Sequence, residues 1–277
     1  MLGSIRGLTD REISKIIDEN LFEQIRYYGS SPGSTLIEND NIIKFTTDIP
    51  LPFFNCVLYY NFDNDSLERQ LKNFKEYGRS KKTSLLWLKG PSCIPQDIEP
   101  ILSREGFKYD DRMTGMAVDI DKIIPSQKDI PNFRVEIVED TQQLCGWVFA
   151  CLKGFNENGK NFQNIFDFEK SLGLGKSLPW VRFTAIVDKE PIATSAVFMG
   201  SNSAGLDNVT TIPQWRKKGV GALMVKRALQ YAKDRGYNVG VLQASDMGLS
   251  LYRHLGFREF DVSKEFIWKN KDVHKQG

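Results

Sequence analysis

A basic, glycine-containing turn between a β-rich run and an amphipathic helix constrains this chain most strongly. The segment runs from Val209 to Met224 and reads VTTIPQWRKKGVGALM. The first backbone N–H groups of a helix have no partner within it, and the helix dipole adds partial positive charge at the same end. Gly219 and Gly221 lack Cβ atoms, so the main chain there can approach a ligand closely. The segment predicts a cradle for an anion, with a diphosphate as its natural occupant.

Three consecutive cations, Arg216, Lys217 and Lys218, add charge to this turn without requiring bidentate geometry. Two other phosphate-binding loops do not fit. A Walker loop needs Gly-Lys-Ser/Thr after a four-residue spacer, and a Rossmann turn approaches its dinucleotide with more glycines than this turn offers. A solvated basic turn without a ligand is the alternative for a short motif taken alone. The flanking strand and helix favour the anion site.

Strand and helix patterns alternate along the chain. Thr9 and Glu12 have the spacing of a capping box at the start of an amphipathic helix over 9–27. Two β-rich runs joined by the polar turn DKE predict a hairpin over 180–199. Other expected strands lie at 42–46, 53–60, 84–88, 133–138, 204–212 and 238–244, with one more after the Gly106 turn that ends at 116–120 and a last one after the Gly256 turn. Helices are expected at 66–77, 96–105, 140–153, 162–172, 221–235 and 247–255. This order predicts a mixed α/β sheet.

Length and one short segment predict two domains. A chain of 277 residues exceeds the size at which a single core is the default. Residues 125–131 hold two prolines among mostly polar neighbours, which indicates a linker between domains over 1–124 and 132–277. SLLWLKGPSCIPQDIEPILSREGF and VGVLQASDMGLSLYRHLGF both read as strand, turn, helix and Gly-Phe. This likeness indicates a duplicated fold.

The composition limits which binding partners and which cellular compartment we expect. Lys plus Arg (37) nearly balances Asp plus Glu (35), so nothing general favours nucleic acid or an anionic membrane as a partner. Four cysteines without a CxxC pair and two histidines provide no metal-ligand cluster. The N-terminal sequence has neither a signal-peptide apolar region nor a membrane-spanning run. We expect a cytoplasmic protein with reduced cysteines and no metal; a homodimer is left open.

The anion cradle resembles the signature of the GNAT acyltransferase superfamily, in which Arg or Gln, two residues, Gly, one residue, and Gly or Ala open a helix. Arg216, Gly219 and Gly221 fit that signature in register. Further along, LYRHLGF at 251–257 resembles the Leu-Tyr…Leu-Gly-Phe element of the same family. The resemblance covers residues 130–270 and implies a GNAT acyl-CoA N-acyltransferase fold, in tandem if the first half is a copy. It implies acetyl-CoA as cosubstrate.

The resemblance also implies roles for individual residues. Tyr252 would protonate the departing thiolate, with a packing role beside its leucine neighbours as the alternative. Asp207 is the candidate general base, and a strand aspartate without function is the alternative. An oxyanion donor would be the main-chain N–H near Val209 or Thr210, and His254 is expected at the surface. The implied coenzyme A contacts are Val209, Thr210, Thr211, Arg216, Lys217, Lys218, Gly219, Val220, Gly221, Ala222 and Ser245.

The first half of the chain has no such cradle. Residues 62–67 read FDNDSL, acidic where a diphosphate site must be basic. We expect a degenerate GNAT-like copy that shapes the substrate cleft, with Phe53, Phe54 and the loop KGFNENGKNF at 153–162 as cleft walls or, alternatively, core aromatics. The whole chain is then an acetyl-CoA-dependent N-acetyltransferase acting on the primary amine of a small molecule. The alternative is a non-catalytic acyl-CoA-binding or sensing module.

Overall fold

The computed structural model describes residues 3–123 and 130–270 of the chain. Helices and strands alternate through both ranges, as the sequence predicts. The helices are α1 (Asp10–Tyr28), α2 (Asn64–Ser80), α3 (Glu99–Arg104), α4 (Thr141–Gly154), α5 (Phe162–Ser171), α6 (Val220–Lys233) and α7 (Leu249–His254). The strands are β1 (Thr35–Asn39), β2 (Ile42–Thr46), β3 (Asn55–Tyr60), β4 (Leu85–Lys89), β5 (Lys108–Asp119), β6 (Arg134–Ile137), β7 (Trp180–Val187), β8 (Glu190–Met199), β9 (Ala204–Thr211), β10 (Val239–Ser245) and β11 (Arg258–Trp268).

The chain divides into two compact units, each built from two separate segments. Unit 1 holds residues 3–24 and 115–260 of the described ranges, and unit 2 holds residues 25–114 and 261–270. Helix α1 and strands β5 and β11 each begin in one unit and end in the other. The predicted linker at 125–131 falls mostly on residues 124–129, which lie outside the described residues. The domain boundaries at 124 and 132 stay a prediction.

In unit 1 the strand order is β5-β10-β9-β8-β7-β6, with β9 and β10 parallel and the strands from β9 to β6 antiparallel. Helices α4 and α6 pack against the central strands. Neighbouring side chains of a strand point to opposite faces of its sheet. Ser195 of β8 donates to the Met224 carbonyl of α6, whereas Thr194 contacts Thr210, against which Gly154 of α4 packs. The two helices therefore cover opposite faces.

The first part of α1 is built into unit 1. Glu12 and Thr9 form the predicted capping box, since the Thr9 N–H donates to the Glu12 carboxylate at 2.8 Å and the Glu12 N–H to the Thr9 hydroxyl at 3.3 Å. Ile13 and Ile17 of α1 are buried in a small core that also contains Ala117 of β5 and Val239 and Val241 of β10. The beginning of the chain thus covers part of the sheet that carries the basic turn.

Unit 2 has the strand order β1-β2-β3-β4-β11. Its parallel strands β3 and β4 are joined by α2, just as β9 and β10 are joined by α6, which agrees with a duplicated fold. Helix α2 packs through Leu67, Leu71 and Phe74 into a core with Trp87. Strand β11 pairs antiparallel with β4 from Lys264–Lys89 to Trp268–Leu85. The last strand of the chain therefore completes unit 2.

Three element predictions need correction. Strand β1 was not predicted; it is mostly exposed, so its sequence TLIEN lacks the apolar alternation that identifies a half-buried strand. Phe53 and Phe54 lie in a 3₁₀ turn before β3 rather than in the strand. Helix α3 starts at Glu99 and not at Gln96, because the Gln96 amide donates to the Gly90 and Cys93 carbonyls and Pro100 lies in the first turn.

Candidate functional site

An open notch separates β9 from β10 in unit 1. Within the described residues these strands pair only at Ala204–Gly240 and Gly205–Val241, near the start of both. Further along β9, Asn208 has a φ of 49° beside a register shift in the pairing with β8. A bulge of this kind bends a strand and ends regular pairing. The second half of β9 therefore has one edge that β10 does not pair with.

The backbone groups on that edge can be assigned from strand alternation. The Ile212 N–H donates to the Ile192 carbonyl of β8 at 3.0 Å. Because backbone groups alternate between the two edges of a strand, those of Thr210 also face β8, while those of Val209 and Thr211 face the notch. The Thr210 side chain is buried and lies 2.8 Å from the Thr194 hydroxyl. Of the three predicted strand contacts, Val209 and Thr211 thus turn backbone groups towards the open edge.

The turn after β9 has the geometry of an anion cradle. Lys217 has a φ of 60° and Gly219 a φ of 87°, so the chain enters the left-handed region twice before α6 begins at Val220. Such changes of hand make successive N–H groups converge on one point. The N–H of Leu223 bonds to the Gly219 carbonyl within the helix. The N–H groups of Val220, Gly221 and Ala222 precede it and lie at the open N-terminal end of α6.

The three cations of the turn play different structural parts. The Arg216 guanidinium donates to the Thr211 carbonyl at 3.1 Å, the Gly154 carbonyl at 2.8 Å and the Asn156 side chain at 3.2 Å. These bonds tie the turn to β9 and to the end of α4. Lys217 and Lys218 are exposed, and the Lys218 Nζ lies 4.6 Å from the centre of the Trp215 ring. The two lysines therefore carry exposed positive charge, while Arg216 is bonded to the protein.

A close contact joins the basic turn to the LYRHLGF segment. A Cβ atom on Gly221 would lie 3.2 Å from the Leu251 Cδ2 of α7, tighter than ordinary packing. The Val220 side chain is buried in the core of unit 1, and Ala222 is half-buried. Ser245 ends β10, is half-buried, and accepts the Gly248 N–H through its carbonyl. The two sequence features on which the resemblance depends thus meet in the structure.

Tyr252 is buried on α7, with 8% of its surface exposed and its ring 5.6 Å from that of Phe257. Burial, and secondarily the nearby charge of Asp207, raise the pKa of Tyr252 above its usual range. Its phenol therefore keeps its proton at neutral pH and is available to donate it.

Asp207 lies on β9, next to the bulge, and its carboxylate is held by two donors. The Gln24 amide of α1 donates to Oδ2 at 2.6 Å, and the Asn208 N–H donates to Oδ1 at 2.5 Å. Burial raises the pKa of Asp207 above its ordinary value; the two hydrogen bonds oppose that shift, and the charge of Glu169 adds to it. A carboxyl group with a raised pKa near a phenol is suited to proton transfer.

The polar residues of α1 near this site were not predicted from the sequence. Asn20 donates to the Ser203 carbonyl at 2.8 Å, and the Glu23 carboxylate accepts the Ser201 N–H at 2.7 Å. A signal was present, since Asn20 and Gln24 continue the spacing of Ile13 and Ile17 along the apolar stripe of α1. Polar residues at stripe positions are buried, and buried polar groups require partners.

A buried ion pair was also missed. Arg182 of β7 donates to the Glu169 carboxylate of α5 at 2.6 Å and also to the Glu169 and Gly173 carbonyls. The Trp180 indole donates to the same carboxylate at 3.0 Å. Each of the three guanidinium nitrogens of Arg182 donates a hydrogen bond within the protein, so this network fixes α5 against the sheet. No spacing in the sequence links residues on two such different elements.

The exposure of the predicted surface histidine and of the predicted cleft aromatics can be compared directly with the structure. His254 is exposed, as predicted. Phe53 and Phe155 are exposed by 37% and 54%, while Phe162 stacks on Phe166 within α5. Their assignment to the walls of a cleft stays a prediction.

The N-terminal end of α2 in unit 2 differs from that of α6. The Asp63 carboxylate caps α2 by accepting the Ser66 N–H at 2.7 Å. A carboxylate at the end of the helix satisfies an N–H that a phosphate would otherwise bind, and it repels a second anion. The acidic segment FDNDSL therefore places a capping carboxylate where a phosphate would otherwise bind.

The described residues were also searched for metal-binding groups and for membrane-spanning helices. Within residues 3–123 and 130–270, no group of three or more His, Cys, Asp or Glu side chains could hold a metal ion. Over the same ranges, no helix is long and apolar enough to cross a lipid bilayer.

Comparison with known proteins agrees with this geometry. Residues 138–257 match the family model described as acetyltransferase (GNAT) family. No curated protein matches the sequence of the chain significantly. A GCN5-related N-acetyltransferase from Kribbella flavida has a similar structure, with a TM-score of 0.65, 15% identity, and coverage of 96% of this chain and 97% of that one.

Two further structures extend the comparison. A GCN5-related N-acetyltransferase from Sphaerobacter thermophilus gives a TM-score of 0.62 at 12% identity, covering 88% of this chain and 84% of that one. A tandem GNAT protein from the clavulanic acid biosynthesis pathway gives 0.57 at 11% identity, covering 94% and 95%. At such identities the likeness shows the fold, and the predicted mixed α/β GNAT fold is confirmed.

Proposed function

Because residues 138–257 match the model of the acetyltransferase (GNAT) family, we propose that the chain is an acetyl-CoA-dependent N-acetyltransferase acting on the primary amine of a small molecule. One observation supports this proposal most directly: the edge of β9 that β10 leaves unpaired leads into the turn whose N–H groups are free at the first turn of α6. A strand edge suits an amide-containing pantetheine arm, and a helix N-terminus suits a diphosphate. Coenzyme A combines these two chemical features in one molecule.

The residues that would bind coenzyme A fall into groups according to the part of the molecule that each would contact. Backbone groups of Val209 and Thr211 would bind the pantetheine amides, and the N–H groups of Gly219, Val220, Gly221 and Ala222 would bind the diphosphate. Lys217 and Lys218 would add charge from the solvent side, and Arg216 would hold the turn in shape. Thr210 would support β9 from its other edge, and Ser245 would line the notch from β10.

Asp207 and Tyr252 would carry out the proton transfers of the reaction. Acetyl-CoA supplies an acetyl group activated as a thioester. Asp207 would accept a proton from the attacking amine, and Tyr252 would give its proton to the sulfur atom when the C–S bond breaks. The raised pKa of each group supports these roles, since Asp207 becomes the stronger base and Tyr252 stays protonated.

Binding is tested first by calorimetric titration of acetyl-CoA into the purified chain, with desulfo-CoA and ATP as comparators. We expect saturable binding of acetyl-CoA and desulfo-CoA and much weaker binding of ATP, because ATP lacks the pantetheine arm. Equal affinity for all three ligands would reduce the site to a general anion site. No binding would refute the proposal.

Catalysis is tested by the release of free thiol from acetyl-CoA in the presence of a panel of primary amines. We expect Tyr252→Phe to leave acetyl-CoA affinity unchanged and to lower turnover by about 10²-fold, because the hydroxyl acts on the leaving group and not in binding. The matched control is Tyr231→Phe, whose hydroxyl bonds to the Lys176 carbonyl in the same unit. Tight binding with no turnover on any amine would favour the non-catalytic acyl-CoA-binding module.

A further inference from the structure

Helix α1 contacts the hairpin of β8 and β9 at three consecutive polar positions of one face. Asn20, Glu23 and Gln24 bond respectively to Ser203, Ser201 and Asp207. The hairpin is shaped for this contact, since a Cβ atom on Gly205 would lie 1.9 Å from the Asn20 Oδ1 and one on Gly200 would lie 2.5 Å from the Asn20 Nδ2. A side chain at either position would displace the Asn20 amide. The helix therefore fits closely against the strand that carries the candidate base.

Gln24 differs from the other two contacts because its partner is a titratable side chain. Its Nε2 lies 2.6 Å from the Asp207 Oδ2, and both residues are part of unit 1. Gln24 itself is 5% exposed, so water does not readily replace its amide. A neutral amide donor stabilises the ionised form of a carboxyl group and fixes its orientation, without competing for the proton.

The other groups around Asp207 act in the opposite direction or not at all. Glu169 on α5 is negatively charged and disfavours ionisation of Asp207. Burial raises the pKa of Cys151 on α4 and of Tyr252 on α7, and the charge of Asp207 adds to both shifts, so each remains neutral. The Asn208 N–H is the second donor to the carboxylate. Gln24 is thus the side-chain donor that favours the basic form of Asp207.

We propose that Gln24 of the N-terminal helix is a positioning residue that holds the Asp207 carboxylate ionised and aimed for proton transfer. This inference rests on the proposed function, in which Asp207 is the base. It assigns residues 3–24 a part in the chemistry of unit 1. The segment then sets the pH range of activity as well as covering the sheet.

The test is a carbon-detected NMR titration of the side-chain carboxyl groups in chain labelled at aspartate with ¹³C. The signal of Asp207 is identified by its loss in Asp207→Asn. We expect Gln24→Leu to move the titration midpoint of Asp207 upward by about one pH unit, the effect of losing one hydrogen bond to a charged group. Gln24→Glu, which keeps the size of the side chain, should move it further upward because it adds a like charge.

The matched control is Glu23→Gln, which alters the neighbouring contact to Ser201 and leaves the bond to Asp207 in place. We expect no upward shift of the Asp207 midpoint in this variant. An unchanged midpoint in both Gln24 variants, each folded as judged by the remaining spectrum, would overturn the proposal. A shift of equal size in Glu23→Gln would overturn it too, because the effect would then come from a loosened helix.

Thiol release from acetyl-CoA as a function of pH separates this inference from the proposed function. If Asp207→Asn leaves the pH profile unchanged, Asp207 is not the base and the proposed mechanism fails, whatever Gln24 does to the titration. If Asp207→Asn removes the rising limb but Gln24→Leu leaves the limb in place, the positioning role fails alone. In the double variant, Gln24→Leu should have no further effect on the profile.

Discussion

Gly219 shows how a single residue defines the anion cradle. Its φ of 87° is a conformation that L side chains rarely adopt, and it lies at the start of α6. We expect Gly219→Glu to weaken acetyl-CoA binding at least tenfold, about 1.4 kcal/mol, because the variant adds a carboxylate where a diphosphate should bind. Calorimetric titration measures the change.

A matched control for this variant exists at the other end of the same helix. Gly236 has a φ of 86° and bonds to the Lys233 carbonyl after α6. Gly236→Glu should therefore cause similar backbone strain and leave the affinity for acetyl-CoA unchanged. Equal losses of affinity in the two variants would assign the effect to strain in α6 and remove the cradle from the explanation.

Asp207 gives a prediction about stability. Burial raises its pKa in the folded chain above the unfolded value, so ionisation destabilises the fold as pH rises from the unfolded pKa to the folded one. Asp207→Asn removes this ionisation. We expect the melting temperature of the variant to exceed that of the natural chain by at least about 2 °C at pH 8, with a smaller difference at pH 4.5.

Thermal unfolding at the two pH values checks the expectation, and Asp97→Asn is the control because Asp97 is exposed. The difference in melting temperature between Asp97→Asn and the natural chain should be the same at both pH values. A melting temperature of Asp207→Asn that is lower than the natural one at pH 8 would show that the carboxylate stabilises the fold, contrary to the raised pKa.

At the scale of elements, the packing of α4 on β9 controls the shape of the basic turn. Gly154 ends α4, and a Cβ atom there would lie 2.4 Å from the Thr210 Oγ1. We expect Gly154→Ala to lower the free energy of unfolding by about 1–3 kcal/mol, because the helix must move away from the strand. The Gly154 carbonyl also binds Arg216, so acetyl-CoA affinity should fall several-fold as well.

The same helix offers a control for this substitution. A Cβ atom on Gly146 would lie 3.5 Å from the Pro191 Cγ, an ordinary contact. Gly146→Ala should raise the free energy of unfolding by up to about 1 kcal/mol, since alanine favours the helix. Denaturant unfolding measures both variants. Loss of stability in both would mean that α4 tolerates no added volume, and the specific contact with Thr210 would not explain the result.

At the scale of the whole molecule, each of the two units is built from both halves of the sequence. Unit 1 contains most of α1 and the end of β5 from the first half of the sequence, and unit 2 contains most of β11 from the second half. A chain of residues 130–277 alone would lack Ile13, Ile17 and Ala117, which bury Val239 and Val241. We expect this chain not to unfold cooperatively and not to bind acetyl-CoA, because its sheet would lose an edge strand and part of its core.

Near-ultraviolet circular dichroism and calorimetry check this expectation. Co-expression of residues 1–129 with residues 130–277 is the positive control, since it restores every missing segment. We expect the pair to form a complex that binds acetyl-CoA. Cooperative unfolding of residues 130–277 alone would instead show that the second half of the sequence carries a complete core.

Local patterns determined much of this protein. The capping box at Thr9, the hairpin of β7 and β8 and the turn from Val209 to Gly221 depend on neighbours within one or two turns, so sequence spacing alone predicted them. The tertiary structure decided where distant segments meet. The bond from Gln24 to Asp207 and the pairing of β11 with β4 join residues far apart in sequence, and no local energy term specifies such contacts. They form because buried polar groups and open strand edges require partners, which only the complete fold supplies.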